Sequence, residues 1–120
     1  MNTTVMIVDD ELFYRQLLGE ILAKEGFTVV AQASNGSEAV EKYKIHVPMI
    51  TIMDIFMPET NGIEALREIM AFDGNARVLI CSGMGFEEDL TAALDAGARG
   101  VIYKPFMRDE VMASIDGALA

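Results

Sequence analysis

Residues 49–54 read MITIMD, a nearly continuous apolar run that ends on an aspartate. A run of this length and composition predicts a strand that is buried on both faces, as in a parallel sheet. Similar short runs, most of them rich in β-branched residues, occur at 4–8 (TVMIV), 27–31 (FTVVA), 77–81 (RVLIC) and 99–103 (RGVIY). With 49–53, the sequence therefore predicts five strands.

Longer segments of helical period separate these runs. Apolar residues at helical spacing begin at Leu12 and stop before Gly26. Four more helices are predicted at 36–45, 62–72, 87–96 and 108–119. Strict alternation of strand and helix predicts an α/β protein with right-handed crossovers. Five strands are too few for an eightfold barrel, so we expect a (βα)5 doubly wound open sheet, five parallel strands in the flavodoxin-like order 2-1-3-4-5.

Size and composition narrow the function classes. The 120 residues predict one domain over 1–120, and the last helix ends so near the terminus that no output domain is expected. Nine basic and 19 acidic residues give a net charge of −10, which argues against binding to nucleic acid or to an anionic membrane. One cysteine, no signal peptide and no long apolar run predict a cytoplasmic protein, and we expect it to be a monomer.

Charged and hydroxyl side chains follow four of the five predicted strands. Asp9-Asp10 follows the first, Asp54 the third, Ser82 the fourth and Lys104 the fifth. The carboxyl ends of parallel strands meet at one edge, where open α/β sheets bind ligands. Three crowded carboxylates favour a hard divalent cation such as Mg²⁺. With an ammonium and a hydroxyl beside them, they predict phosphoryl transfer, in which an aspartate can be the nucleophile.

Each of these elements has an ordinary structural interpretation when it is taken alone. An Asp-Asp pair often caps a helix, and Ser82 and Lys104-Pro105 are typical of turns. Their joint placement at consecutive strand ends is what favours a functional site. Cys81 falls inside an apolar strand and is predicted to belong to the core, whereas Met84 and Met107 are predicted to be exposed.

Four stretches together are specific to one family: VMIVDDE at 5–11, MDIFMPETNG at 53–62, VLICSGMG at 78–85 and GARGVIYKPF at 97–106. Over essentially its whole length the sequence resembles the receiver domain of bacterial two-component response regulators. The stretches SNGSEAV (34–40) and DIFMPETNGI (54–63) make it most similar to the single-domain chemotaxis members of that family.

The resemblance implies a metal site and a phosphoacceptor. By analogy with the family, Asp54 would accept the phosphoryl group. Asp10 would be a direct Mg²⁺ ligand, Asp9 would act largely through water, and the backbone carbonyl of Phe56 would be the third protein ligand. The family's side chains at the positions of Phe56 and Met84 influence the lifetime of the phosphoryl group, and here both are apolar.

The resemblance also assigns roles to the residues that surround the phosphoryl group. Ser82 would bond it, Lys104 matches the family's lysine, and the Lys104-Pro105 bond is expected to be cis. One departure concerns the aromatic switch that the family usually carries three residues before the lysine. Here that position is Val101, and Tyr103 lies two residues later on the same side of the strand.

The function that the resemblance implies is a phosphorylation-controlled switch rather than a turnover enzyme, one that assists its own phosphorylation and dephosphorylation. A chemotaxis-type histidine kinase would supply the phosphoryl group. The flagellar motor switch protein and a phosphatase are the further partners expected, with output through the fourth helix, fifth strand and fifth helix.

Three alternatives stay open at this point. The chain could be a phosphorelay shuttle to a histidine phosphotransfer domain, or a receiver cut from a longer regulator. It could also be a Mg²⁺-dependent phosphatase with an aspartate nucleophile. Such enzymes usually place a second carboxylate two residues after the nucleophile, where this sequence has Phe56.

Overall fold

The computed structural model describes residues 2–57 and 61–120, and in these ranges strands and helices alternate as predicted. The strands are β1 Thr4–Val8, β2 Thr28–Ala33, β3 Ile50–Asp54, β4 Val78–Ser82 and β5 Gly100–Tyr103. The helices are α1 Leu12–Lys24, α2 Gly36–His46, α3 Gly62–Phe72, α4 Glu87–Asp95 and α5 Arg108–Leu119.

The five strands form one parallel sheet in the order β2-β1-β3-β4-β5. The predicted fold class and strand order are therefore confirmed. Val8 lies opposite Met53 in the ladder, and Ser82 lies opposite Tyr103. This register brings the carboxyl ends of β1, β3, β4 and β5 to the same edge of the sheet. The site predicted from the sequence needs these four ends to lie together.

Two hydrophobic cores cover the two faces of the sheet, because successive strand residues point to opposite sides. On one face, residues such as Met6 and Met53 pack against α2, α3 and α4. On the other, Ile7 and Ile52 pack against α1 and α5. Cys81 belongs to this second core, as predicted, and burial raises the pKa of its thiol.

Local signals fix where the helices begin and end. The side chains of Asn35 and Asn61 cap α2 and α3 by accepting the backbone N–H of Glu38 and Glu64 at 2.8 and 2.9 Å. Gly26, with φ of +84°, follows the end of α1. Nowhere in residues 2–57 and 61–120 does a helix have both the length and the apolar character needed to cross a membrane.

Candidate functional site

Three aspartates come together at the carboxyl edge of the sheet. Asp9 follows β1 and Asp54 ends β3, and these two strands are neighbours. One carboxylate oxygen from each of Asp9, Asp10 and Asp54 lies within 4.8 Å of the other two. Asp9 and Asp54 are buried, with 2% and 6% of their surface exposed, whereas Asp10 is exposed. The cluster therefore has a buried side in the sheet edge and an open side toward solvent.

Lys104 bridges two of these carboxylates. Its Nζ lies 2.9 Å from Asp9 Oδ2 and 3.1 Å from Asp54 Oδ2. Burial alone would lower the pKa of Lys104, but its bonds with Asp9 and Asp54 outweigh burial, so the pKa of the ammonium is raised. Lys104 therefore stays protonated and offsets part of the negative charge of the cluster.

The environment of Asp54 opposes its ionisation. Burial, and to a lesser extent the nearby Asp9 carboxylate, raises the pKa of Asp54. Lys104 acts in the opposite direction, as does the backbone N–H of Phe56, which donates to Asp54 Oδ1 at 3.3 Å. The net direction is upward, so additional positive charge beside this carboxylate would stabilise its ionised form.

Backbone contacts hold the cluster in place. Asp9 Oδ1 accepts the backbone N–H of Glu11 at 2.9 Å, and the Arg15 guanidinium donates to the Asp9 carbonyl at 2.7 Å. The backbone N–H of Lys104 donates to the Ser82 carbonyl at 2.8 Å. The Lys104-Pro105 bond is cis, as expected.

Ser82 is buried at the end of β4, opposite Tyr103 in the ladder, but its hydroxyl points away from Asp54 toward the next peptide. That hydroxyl donates to the carbonyl of Gly83 at 2.8 Å. It would have to rotate away from Gly83 before it could donate to a group carried by Asp54. Ser82 therefore lies at the end of its strand, as the sequence predicts. Its predicted contact with a phosphoryl group on Asp54 requires the hydroxyl to turn away from Gly83.

An aromatic pair lies beside the site. The rings of Phe56 and Phe86 have centroids 4.6 Å apart at an interplanar angle of 54°, and both residues are partly exposed. Met84 is 79% exposed, which confirms that it lies in solvent. Phe56 and Met84 were predicted from the sequence to act here, whereas Phe86 was not. The side chain that contacts Phe56 is Phe86, which immediately precedes α4.

Tyr14 is a second residue that sequence analysis missed. Its ring lies under Lys104, with Nζ 3.9 Å from the ring centroid. The available signal was its place in the first turn of α1, which begins just after Asp9-Asp10 at the same edge of the sheet. The position of the usual aromatic switch holds Val101, which is half-buried, and Tyr103 is 40% exposed.

The donor set fits a hard divalent cation. Every ligand that the three aspartates offer is a carboxylate oxygen, which Mg²⁺ prefers, and exposure on the Asp10 side leaves room for the waters that Mg²⁺ retains. The Phe56 carbonyl stays a predicted ligand. Residues 58–60, within the motif MDIFMPETNG, lie outside the described residues.

Comparison with known proteins defines the class. The family model of the response regulator receiver domain matches residues 5–116, and the chain belongs to this family. Receiver domains act as signalling switches and bind Mg²⁺ at a cluster of aspartates, and this chain carries such a cluster in Asp9, Asp10 and Asp54.

Several of the individual relatives are chemotaxis proteins. The chain is 49% identical to the chemotaxis protein CheY of Bacillus subtilis over 119 residues, which cover 99% of each chain. It is 47% identical to CheY of Thermotoga maritima, with 97% of each chain covered. Among solved structures, a chain of the CheX–CheY–BeF3–Mg²⁺ complex from Borrelia burgdorferi is 39% identical. The two superpose with a TM-score of 0.93 over 98% of this chain and 89% of that one.

Proposed function

We propose that this chain is a stand-alone response regulator that accepts a phosphoryl group on Asp54, with Mg²⁺, from a histidine kinase of the CheA type. The observation that carries the proposal is the bridge that Lys104 forms between Asp9 and Asp54 inside the aspartate cluster. Alignment with CheY proteins over nearly the full length of both chains supports a regulator of this kind.

The chemistry follows from these positions. A carboxylate oxygen of Asp54 attacks phosphorus, and the bond from phosphorus to the donor's nitrogen or oxygen breaks. The electron pair of that bond leaves with the donor. Lys104 keeps its proton, and its ammonium balances charge as the phosphoryl group arrives. Ser82 then turns its hydroxyl from the Gly83 carbonyl to a phosphoryl oxygen.

The metal ligands in this proposal are Asp9, Asp10, Asp54 and the backbone carbonyl of Phe56. Bound Mg²⁺ would supply neutralisation of the negative charge on the phosphoryl oxygens. In the part of the chain that the structure describes, the ammonium of Lys104 is the one cation paired with these carboxylates. A phosphoryl group brings further negative charge, which is why the proposal requires a second cation here.

The proposed output is protein binding in chemotaxis. A phosphoaspartate adds charge and acceptor oxygens. We expect these to shift an existing equilibrium at the surface of α4, β5 and α5 by roughly 1–3 kcal/mol. The proposed partners are the flagellar motor switch protein and a phosphatase, and a cytoplasmic location follows from both. The similarity to CheY proteins, one of them crystallised with CheX, supports partners of this kind.

The test is labelling with acetyl phosphate in the presence of Mg²⁺, followed by intact-mass measurement. We expect one phosphoryl group, labile to both acid and base, and none on the Asp54→Ala variant. Asp116→Ala, which removes an exposed aspartate of α5, is the matched control and should label normally. Unchanged labelling of Asp54→Ala would contradict the assignment.

Binding assays then distinguish the alternatives. Phosphorylation-dependent binding to the flagellar motor switch protein supports the proposed output. Transfer to a histidine phosphotransfer domain, without motor binding, would indicate a phosphorelay shuttle. Rapid multiple turnover on phosphomonoesters would indicate a phosphatase, although Phe56 offers no side chain for acid–base catalysis.

A further inference from the structure

The ring of Tyr14 is a neighbour of the Lys104 ammonium, in addition to the Asp9 and Asp54 carboxylates. Lys104 Nζ contacts Asp9 and Asp54 on one side, and the face of the Tyr14 ring lies 3.9 Å from it on another. The Lys104 side chain is 12% exposed, so its ammonium is largely removed from water at this contact. A cation held over an aromatic face and shielded from water is stabilised more than one at an exposed site.

Two other aromatic rings fix the position of Tyr14. Phe106, which is buried, packs edge-to-face against it with centroids 5.8 Å apart. Phe13 contacts it at 5.3 Å, also edge-to-face. Tyr14 belongs to α1, whereas Phe106 follows β5 by a few residues. The Tyr14 ring therefore packs between two segments of the site where it faces Lys104.

An aromatic face has an advantage over a polar partner at this position. It attracts the ammonium but removes none of its charge and takes up none of its three N–H donors in a strong hydrogen bond. A third carboxylate would instead compete with Asp54 for the lysine. With a ring beneath it, the ammonium stays available to the group that Asp54 carries.

We propose that Tyr14 is a positioning residue for phosphoryl transfer to Asp54, because its ring holds the ammonium of Lys104 against that carboxylate. The proposal rests on the proposed function of Asp54. Tyr14 itself forms and breaks no bond in the transfer, and its hydroxyl is not required. Phenylalanine should therefore replace it, whereas an aliphatic residue of similar size should not.

The direct test is the ring-current shift of Lys104. In protein labelled with ¹³C-lysine, the ε-methylene signals of Lys104 should lie upfield of those of Lys24 and Lys42. Tyr14→Phe should keep this shift and Tyr14→Leu should abolish it. The measurement needs neither metal nor phosphodonor, so it examines the contact independently of activity.

The functional test is the rate of labelling by acetyl phosphate. We expect Tyr14→Leu to lower the maximal rate about fivefold, equivalent to about 1 kcal/mol, with little change in the donor concentration that gives half the maximal rate. Tyr14→Phe should label at nearly the wild-type rate. Phe72→Leu is the matched control, because it removes a 52% exposed aromatic residue at the end of α3 that packs against Tyr43.

Two results would overturn the proposal. One is a wild-type Lys104 signal without an upfield shift, which applies even if Tyr14→Leu fails to fold. The other is a folded Tyr14→Leu variant that labels as fast as Tyr14→Phe. Absence of labelling in the wild type would instead contradict the proposed function of Asp54, and the ring-current shift would still decide whether Tyr14 holds Lys104.

Discussion

Gly62 packs against the backbone of Asp54 so closely that a β-carbon at residue 62 would overlap the Asp54 carbonyl oxygen. The same β-carbon would lie 2.9 Å from the Cα of Ile55. The backbone N–H of Gly62 donates to the Ile55 carbonyl at 2.6 Å. The absence of a side chain at Gly62 therefore sets how near α3 approaches the end of β3, where the proposed phosphoacceptor lies.

The first prediction concerns this close approach. Gly62→Ala should lower the free energy of unfolding by about 1–3 kcal/mol, because the clash is with backbone atoms that cannot move alone. Urea denaturation measures the change. Gly19→Ala in α1 is the control: apart from the adjacent backbone of α1, no atom would lie within 4 Å of its β-carbon, so alanine should stabilise by about 0.5–1 kcal/mol. A Gly62→Ala variant as stable as the wild type would refute the argument.

The fold was predictable because its signals are local. A strand such as β3 is recognisable in the sequence as a continuous apolar block. The start of α3 is recognisable from Asn61, whose side chain caps the helix. Several observed strand boundaries differ from the predicted ones by one residue; β3 and β4, for example, each begin and end one residue later than predicted. Phe27, for instance, packs on the core although it precedes β2, so hydrophobicity extends one residue beyond the hydrogen-bonded ladder.

The contacts that sequence analysis missed join residues that are distant along the chain. Tyr14 meets Lys104, and Phe56 meets Phe86. Helical period indicates which face of a helix is apolar, but not which loop that face will meet, since this depends on how each helix packs on the sheet. The aspartates were easier to place, because parallel strands bring all their carboxyl ends to one edge.

The second prediction concerns the metal. Asp9 is already bound to Lys104 and to the Glu11 N–H, whereas Asp10 faces solvent. We expect Asp10→Ala to weaken Mg²⁺ binding more than Asp9→Ala, by about tenfold, or about 1.4 kcal/mol. Calorimetric titration measures both affinities, with Glu20→Ala in α1 as the control for net charge. Equal affinities in the two variants would contradict the assignment of Asp10 as a direct ligand and of Asp9 as one that acts through water.

The third prediction is a pH dependence. Burial and the Asp9 carboxylate raise the pKa of Asp54 above its usual value of about 4, although Lys104 acts in the opposite direction. The folded protein therefore holds this proton more tightly than the unfolded chain. Protonation of Asp54 therefore stabilises the fold. This stabilisation is complete below the pKa of Asp54 in the unfolded chain and is lost as the pH rises through its pKa in the folded protein.

It follows that Asp54→Asn, which cannot ionise, should unfold at a higher temperature than the wild type near neutral pH in a metal chelator. The difference should shrink as the pH falls toward about 4. Thermal unfolding across this range measures it, and Asp116→Asn, which removes an exposed charge of the same sign, is the control. A difference that grows on acidification would show that the sign is wrong.

The fourth prediction concerns the lifetime of the phosphoryl group. Hydrolysis needs a water molecule aligned behind phosphorus, and we expect the apolar Phe56–Phe86 pair to shield that approach. We expect the Phe56→Asn, Met84→Glu double variant to lose the group about tenfold faster, a barrier change of about 1.4 kcal/mol. Decay of labelled protein measures this rate. Most of the effect should belong to Phe56, because Met84 is in solvent, so Met84→Glu alone is the control. Equal decay in the double variant and the wild type would rule out shielding.

The fifth prediction concerns how the signal leaves the site. Val101 has no ring to swing, and its β-branched side chain is stiff, so we expect Ser82 to draw the Gly83-Met84-Gly85 loop and the start of α4 toward the phosphoryl group. Gly85 has φ of +98°, a backbone conformation that glycine adopts without steric cost, so this residue can act as a hinge for the loop. Backbone NMR with Mg²⁺ and the phosphoryl mimic beryllofluoride should therefore shift the amides of residues 82–90, and Ser82→Ala should reduce those shifts while leaving the ones near Lys104. If residues 82–90 keep their shifts in the wild type while those near Lys104 move, activation works through Lys104 and not through this loop.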